Sequence, residues 1–207
     1  MSEDEALLAA RMRALAAFAP GYFHDLKGPL NTIVLRLELL RAAPASGEDK
    51  RRASVTAIED QVRRLDRMLQ CWLGYSAPGS DANAGVDLRL LANDVGALVA
   101  PLARKRRLEL AISTPDEPLP SPLPADALSS VLLDLVRHAA VGLDAGGQLS
   151  VRLQRDGATA RLSVRGGPFD APATSLAGRV VSAAGGTCVL INDADGSAVA
   201  LLLPLNS

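Results

Sequence analysis

Two runs of apolar residues constrain this fold more than any other feature. Phe23, Leu26, Leu30, Ile33, Leu37 and Leu40 are spaced alternately three and four apart, and Val55, Ile58, Val62, Leu65, Leu69 and Trp72 repeat that spacing. A period of 3.5 is the a/d pattern of helices packed in a bundle. Between the runs, Ala42-Ala43-Pro44-Ala45-Ser46-Gly47 carries turn residues, and Glu48 and Asp49 suit the positive start of a second helix. The pattern predicts a helical hairpin whose first arm has about ten turns if it begins near Asp4. One hairpin cannot enclose a seam this wide, so two copies are expected to close into a four-helix bundle, a homodimer. The alternative is a hairpin packed on its own C-terminal domain.

The remaining bulk properties exclude several classes. The chain has 207 residues, 48% of them hydrophobic, enough for one large domain or two small ones with a packed core. With 3% aromatic residues the core is expected to be mostly Leu, Val and Ala. A net charge of −1 argues against nucleic acid as a partner. Cys71 and Cys188 lie far apart, form no metal spacing and read as reduced thiols. The acidic start Ser2-Glu3-Asp4-Glu5 is unlike a signal peptide, and no apolar run is long enough to span a bilayer. A soluble cytoplasmic protein is expected, with no stretch left over for an input domain.

The first helix carries the string His24-Asp25-Leu26-Lys27-Gly28-Pro29-Leu30-Asn31, with one of the two histidines of the chain. An imidazole nitrogen is nucleophilic near neutral pH and makes a good phosphoryl acceptor. His24 falls one residue past Phe23, about 100° off the seam, at the edge of the bundle. Lys27, Gly28 and Asn31 share its face at i+3, i+4 and i+7. Pro29 removes a backbone hydrogen bond and is expected to bend the helix, and Pro20-Gly21 to weaken it. The string resembles the H-box of bacterial two-component histidine kinases, where a helix presents one histidine for phosphorylation.

After a linker expected at residues 77–85, the pattern turns α+β. Residues 88–105 read as a helix ending in a basic turn, and residues 108–113 as a strand. A Pro-rich link follows, then a helix through Leu128, Leu132, Leu135 and Ala139. Strands follow around residues 149–153 and 162–164, turned at Asp156-Gly157. A short helix near residues 176–184 precedes strands at 188–191 and 198–203, turned at Asp195-Gly196. The expected fold class is α+β: an N-terminal hairpin (residues 1–76), the linker, and a C-terminal α/β sandwich (residues 86–207). That sandwich resembles the GHKL, or Bergerat, ATP-binding domain of histidine kinases.

At the nucleotide motifs of that family the sequence departs. Asp134 and His138 stand at the two asparagine positions of the N-box; the carboxylate could still bind Mg²⁺, but the pair reads rather as an i,i+4 pair on the helix surface. A glycine of Gly166-Gly167 stands where the adenine-binding aspartate of the G1 box belongs, with Asp170 out of register. Only residues 171–175 separate Asp170 from the next predicted helix, too few for an ATP lid. Ala177-Gly178-Arg179 makes no phosphate loop. No cofactor or metal of its own is therefore expected.

The resemblance then implies a dimeric histidine phosphotransferase of a phosphorelay, an enzyme but not an ATP-dependent kinase. Response-regulator receiver domains, or the receiver of a hybrid kinase, are the expected partners and bring the Mg²⁺. His24 is the implied nucleophile and carrier, and Asp25 the acidic neighbour that orients or deprotonates it. Lys27 offsets phosphoryl charge or is simply solvated. Gly28 and Asn31 leave surface for docking. Arg63, Arg64 and Arg67 on the second helix meet an acidic receiver or form a plain solvated face. The alternatives are a sensor-kinase core with an atypical ATP site, and a non-catalytic dimeric scaffold.

Overall fold

The computed structural model describes residues 2–42, 47–76, 85–194 and 196–206. The first helix, α1 (Glu3–Ala42), opens on a reciprocal cap. The Ser2 hydroxyl accepts from the Glu5 amide at 3.2 Å, and Glu5 Oε2 accepts from the Ser2 amide at 2.8 Å. The acidic start is thus a helix cap, placed where the helix dipole favours negative charge. From there α1 runs unbroken for 40 residues, through both Pro20 and Pro29. The second helix, α2 (Glu48–Ser76), returns antiparallel, with the Tyr22 hydroxyl donating to the Met68 carbonyl at 2.6 Å.

The two heptad runs split into two columns. Leu26, Ile33 and Leu40 of α1 and Ile58, Leu65 and Trp72 of α2 are half-buried. Phe23, Leu30, Leu37, Val55, Val62 and Leu69 remain between 44% and 51% exposed. The hairpin therefore satisfies one column of its seam and leaves the other open.

Above the seam, α1 changes partner. Ala6, Ala10, Ala14, Phe18 and Tyr22, every fourth residue, are all buried. They pack on α3 (Leu88–Arg106) and α4 (Ala125–Val141), so this stretch of the hairpin does pack on its own C-terminal domain. The small alanines let the helices approach closely, and the buried Arg11 ties them. Its Nε donates to Ser130 Oγ at 3.0 Å, and its Nη2 to the Asp126 carbonyl at 2.8 Å and carboxylate at 3.2 Å. Gly21 serves a crossing. A Cβ there would stand 3.1 Å from the backbone of Pro101 in α3. Cys71, at the end of α2, is pushed up to about 11, first by burial and then by the Asp94 carboxylate of α3, which suits an inert thiol.

The C-terminal layer begins with β1 (Val86–Asp87), which leads into α3. Asp87 caps that helix by accepting from the Arg89 amide at 2.9 Å. β2 (Glu109–Ser113) and β3 (Pro120–Ser121) follow, and β3 pairs with β1 inside the Pro-rich link. These two-residue strands are too short to show a period. After α4 come β4 (Gln148–Asp156), β5 (Thr159–Gly166), α5 (Ala171–Ala183), β6 (Thr187–Asp193) and β7 (Gly196–Pro204). The sheet order is β2-β4-β5-β7-β6, with only β2–β4 parallel. Leu149, Val151 and Leu153, Leu162 and Val164, and Val199, Leu201 and Leu203 face the helices, while Arg152, Gln154 and Arg161 are exposed. The α+β expectation holds, a helical region followed by a mixed α/β sheet domain. Most of the expected linker, the turn at residues 43–46 and Asp195 lie outside the described residues. Among the described residues no helix is long and apolar enough to cross a membrane.

Replacing Arg11 with Ala should remove the tie between α1 and α4. The expected loss is about 2 kcal/mol, the cost of breaking a buried pair discounted because Asp126 is one-third exposed. A urea melt of the variant against the parent chain measures it.

Candidate functional site

His24 sits just below the point where α1 changes partner. Its side chain is 79% exposed. The helix face around it is fixed from above by an aromatic cluster: the Phe23 and Trp72 rings lie 4.9 Å apart, and those of Tyr22 and Trp72 5.2 Å. His24 Nδ1 is 3.6 Å from Asp25 Oδ1, and the other carboxylate oxygen, Oδ2, pairs with the guanidinium of Arg104.

Two clefts flank the imidazole. One, about 430 Å³, is lined by Pro20, Gly21, His24, Asp25, Arg104 and Lys105. The other, about 460 Å³, lies over the hairpin and is lined by His24, Asp25, Gly28, Thr32, Arg64 and Arg104. The residues singled out in the sequence therefore separate. Gly28 and Arg64 join His24 and Asp25 in the second cleft, and a Cβ on Gly28 would meet open space. Lys27, Asn31 and Arg67 are exposed and line neither cleft. Arg63 is engaged with its own helix, 2.9 Å from Asp60 and 3.9 Å from Glu59. Arg104 and Lys105 were legible only as a basic helix end. Nothing in their local sequence says that this end faces α1.

A third cleft, about 560 Å³, lies between α1, α4 and α5 and is lined in part by Arg13, Asp134, Arg137, His138, Asp170 and Arg179. Asp134 is 3% exposed, so Asp134 and His138 are not the surface pair that the sequence suggested. The Asp134 carboxylate accepts from Arg137 Nη2 at 2.9 Å and lies 3.7 Å from His138 Nε2, and His138 Nδ1 is 3.4 Å from Asp170. Asp170 is the N-cap of α5, its Oδ1 accepting from the Ala173 amide at 2.9 Å, so α5 begins about five residues before the predicted helix. The end of β5 is pressed onto α4. The Gly167 amide donates to the Ala139 carbonyl at 3.0 Å. A Cβ on Gly166 would stand 2.8 Å from the Cβ of Ala139, and one on Gly167 2.4 Å from the carbonyl carbon of Gly142.

No family model matches the chain. Over 163 residues, 78% of its length, it is 31% identical to the sensor histidine kinase ZraS of Escherichia coli K12. That stretch is 35% of the kinase, so the chain spans about a third of the length of the curated relatives it matches. Among solved structures, a histidine kinase from Burkholderia phymatum STM815 aligns over 95% of this chain and 98% of its own, at 18% identity and a TM-score of 0.53. The catalytic domain of histidine kinase ThkA covers 58% of this chain and 94% of its own, at 19% identity and a TM-score of 0.52. The fold is histidine-kinase-like. Like those structures, it joins a helical region to an α/β sheet layer.

The third cleft adjoins α4, the helix on which the sequence resemblance puts the N-box, at Asp134 and His138. Returning an acid to the strand end, as Gly166→Asp or Gly167→Asp, should collide with α4 and cost about 1–3 kcal/mol. Neither variant is expected to gain ATP binding. Thermal melts and calorimetry with ATP check the two halves of this expectation.

Proposed function

We propose that this chain is a homodimeric histidine phosphotransferase, an enzyme that carries a phosphoryl group on His24 between receiver aspartates without using ATP of its own. The packing of the β5 end on α4 carries this reading. The two glycines are in van der Waals contact with α4 where an adenine-binding acid would need room, and only residues 167–170 join β5 to α5. That connection is too short for a lid, and Asp134, Arg137, His138 and Asp170 of the adjoining cleft are engaged with one another. The residues present do not fit a nucleotide with its Mg²⁺.

The chemistry needs little from the chain beyond placement and charge. With Asp25 beside Nδ1, the ring keeps its proton there and offers Nε2. The Nε2 lone pair attacks the phosphorus of a receiver's aspartyl phosphate. The N–P bond forms as the P–O bond breaks, and the receiver carboxylate leaves with the bonding electrons. Asp25 offsets the positive charge that develops on the ring. The return step to a second receiver is the reverse, with Mg²⁺ supplied by the receiver. Gly28 leaves space for a docking loop, and Arg64 faces the acidic site of the receiver. In this reading the protein is cytoplasmic and acts on other proteins.

A second reading, a sensor-kinase core with an atypical ATP site, has a specific observation in its favour. The curated relatives that match 78% of the chain are sensor histidine kinases, and the comparisons favour that reading over an ATP-free carrier. Calorimetry with Mg·ATP separates the two: the carrier reading expects no binding heat, and micromolar binding would overturn it. In parallel, a phosphorylated receiver should transfer acid-labile label to the chain and not to a His24→Gln variant.

The open heptad column supports the dimer. Leu30 is 50% exposed and Val62 51%, so charging them should not harm the single chain. Leu30→Glu together with Val62→Glu is expected to turn a dimer into a monomer in sedimentation equilibrium, with the α/β layer still folded by circular dichroism.

A further inference from the structure

Arg104 and Lys105 reach His24 from outside the hairpin, in the last turn of α3. Arg104 lines both clefts beside the imidazole. Its guanidinium holds one oxygen of Asp25, and the other oxygen faces His24 Nδ1 at 3.6 Å. A carboxylate on a helix surface ordinarily samples several rotamers, and an imidazole that is 79% exposed turns freely. Here the guanidinium fixes the carboxylate, and the carboxylate faces one ring nitrogen. The base of Arg104 is itself steady. At Gly21 and Pro101, α1 and α3 cross closely, and the next arginine, Arg106, donates to the Val141 and Leu143 carbonyls at the end of α4, at 3.2 and 3.1 Å.

We propose that Arg104 is a positioning residue for phosphoryl transfer at His24, delivered to the hairpin by the α/β domain of the same chain. It holds Asp25 against Nδ1, so that the ring keeps its proton there and takes the phosphoryl group on Nε2. This rests on the reading of His24 as a phosphoryl acceptor, and gives the α/β domain a part in the chemistry that needs no nucleotide. In the step itself, the N–P bond forms at Nε2 as the bond between phosphorus and the donor's leaving atom breaks. The electron pair leaves with the donor, and the Nδ1 proton remains between ring and carboxylate.

Potassium phosphoramidate tests this on the full chain without any receiver, because it passes its phosphoryl group to imidazole as ammonia leaves. Phosphorus NMR distinguishes the Nδ1 and Nε2 isomers of phosphohistidine. The parent chain is expected to give the Nε2 isomer on His24, with that signal absent from His24→Gln. Arg104→Ala should be labelled about tenfold more slowly, the loss of one charge-assisted contact, and should yield a mixture of isomers. Arg104→Lys should recover part of the rate. Asp25→Asn with Arg104→Ala should be no slower than Asp25→Asn alone, because Arg104 acts through Asp25. An Arg104→Ala variant with the parent's rate and isomer ratio, or two substitutions whose effects multiply, would overturn the proposal and leave the acceptor role standing. A parent chain that takes no label on His24 would overturn the acceptor role as well. Arg104 is 63% exposed, so the variant should melt with the parent, and Arg104→Gln replaces it if it does not.

Discussion

The structure around His24 depends on a change of partner along one helix. A row of every fourth residue advances about 40° around the axis at each step, because four residues exceed one turn. The buried row from Ala6 to Tyr22 therefore winds part-way around α1. Its early members meet the α/β layer, and its last, Tyr22, bonds to Met68 of α2. Immediately below, the heptad seam takes over. Arg11 locks the upper contact to α4, the aromatic cluster marks the handover, and His24 is the first residue past it to stand in solvent. The placement of the imidazole is inherited from packing on both sides.

That inheritance explains why so exposed a site is ordered. Charges in water interact weakly and are screened by salt, and an isolated surface pair contributes little to stability. The chain Arg104–Asp25–His24 belongs to that class energetically. Its worth is geometric: α3 and α1 are held together elsewhere, at Gly21 and Pro101, so the guanidinium arrives without ordering cost at the moment of reaction. Three consecutive cations at the end of α3 divide their roles accordingly. Arg104 meets α1, Lys105 lines the upper cleft, and Arg106 caps the carbonyl end of α4.

The heptads, the α/β order and the turn at Asp156-Gly157 were legible because each carries a strong local signal: a 3.5 period, a change to period two, and a glycine that the turn places at φ +63°. The upper contact of α1 was not, because a row of alanines has little hydrophobic contrast with its neighbours. Pro20-Gly21 read as a weak point, whereas the glycine is a crossing that needs the absence of a side chain. Asp170 read only as an acid out of register with the G1 box, whereas it caps a helix, a role written in the backbone three residues on. Arg104 illustrates the general limit. A basic helix end is visible in one dimension, but its partner, Asp25, lies 79 residues away in sequence.

The same contacts bear on which chemistry this fold suits. The cleft beside α4 is lined by Ala6 and Arg13, on the helix that carries His24. Eleven to eighteen residues of α-helix separate them, so a group seated there lies about 16 to 27 Å from the imidazole along the axis. To bring that cleft to its own His24, the α/β layer has to leave α1. That motion exposes the alanine row, unpairs the buried Arg11, and draws Arg104 away from Asp25. A carrier of the kind proposed above would require no such motion, since its donor and acceptor would come from outside and meet the open face of the hairpin. In that reading, the packing that would restrain a kinase also holds Arg104 beside Asp25 and leaves the imidazole exposed.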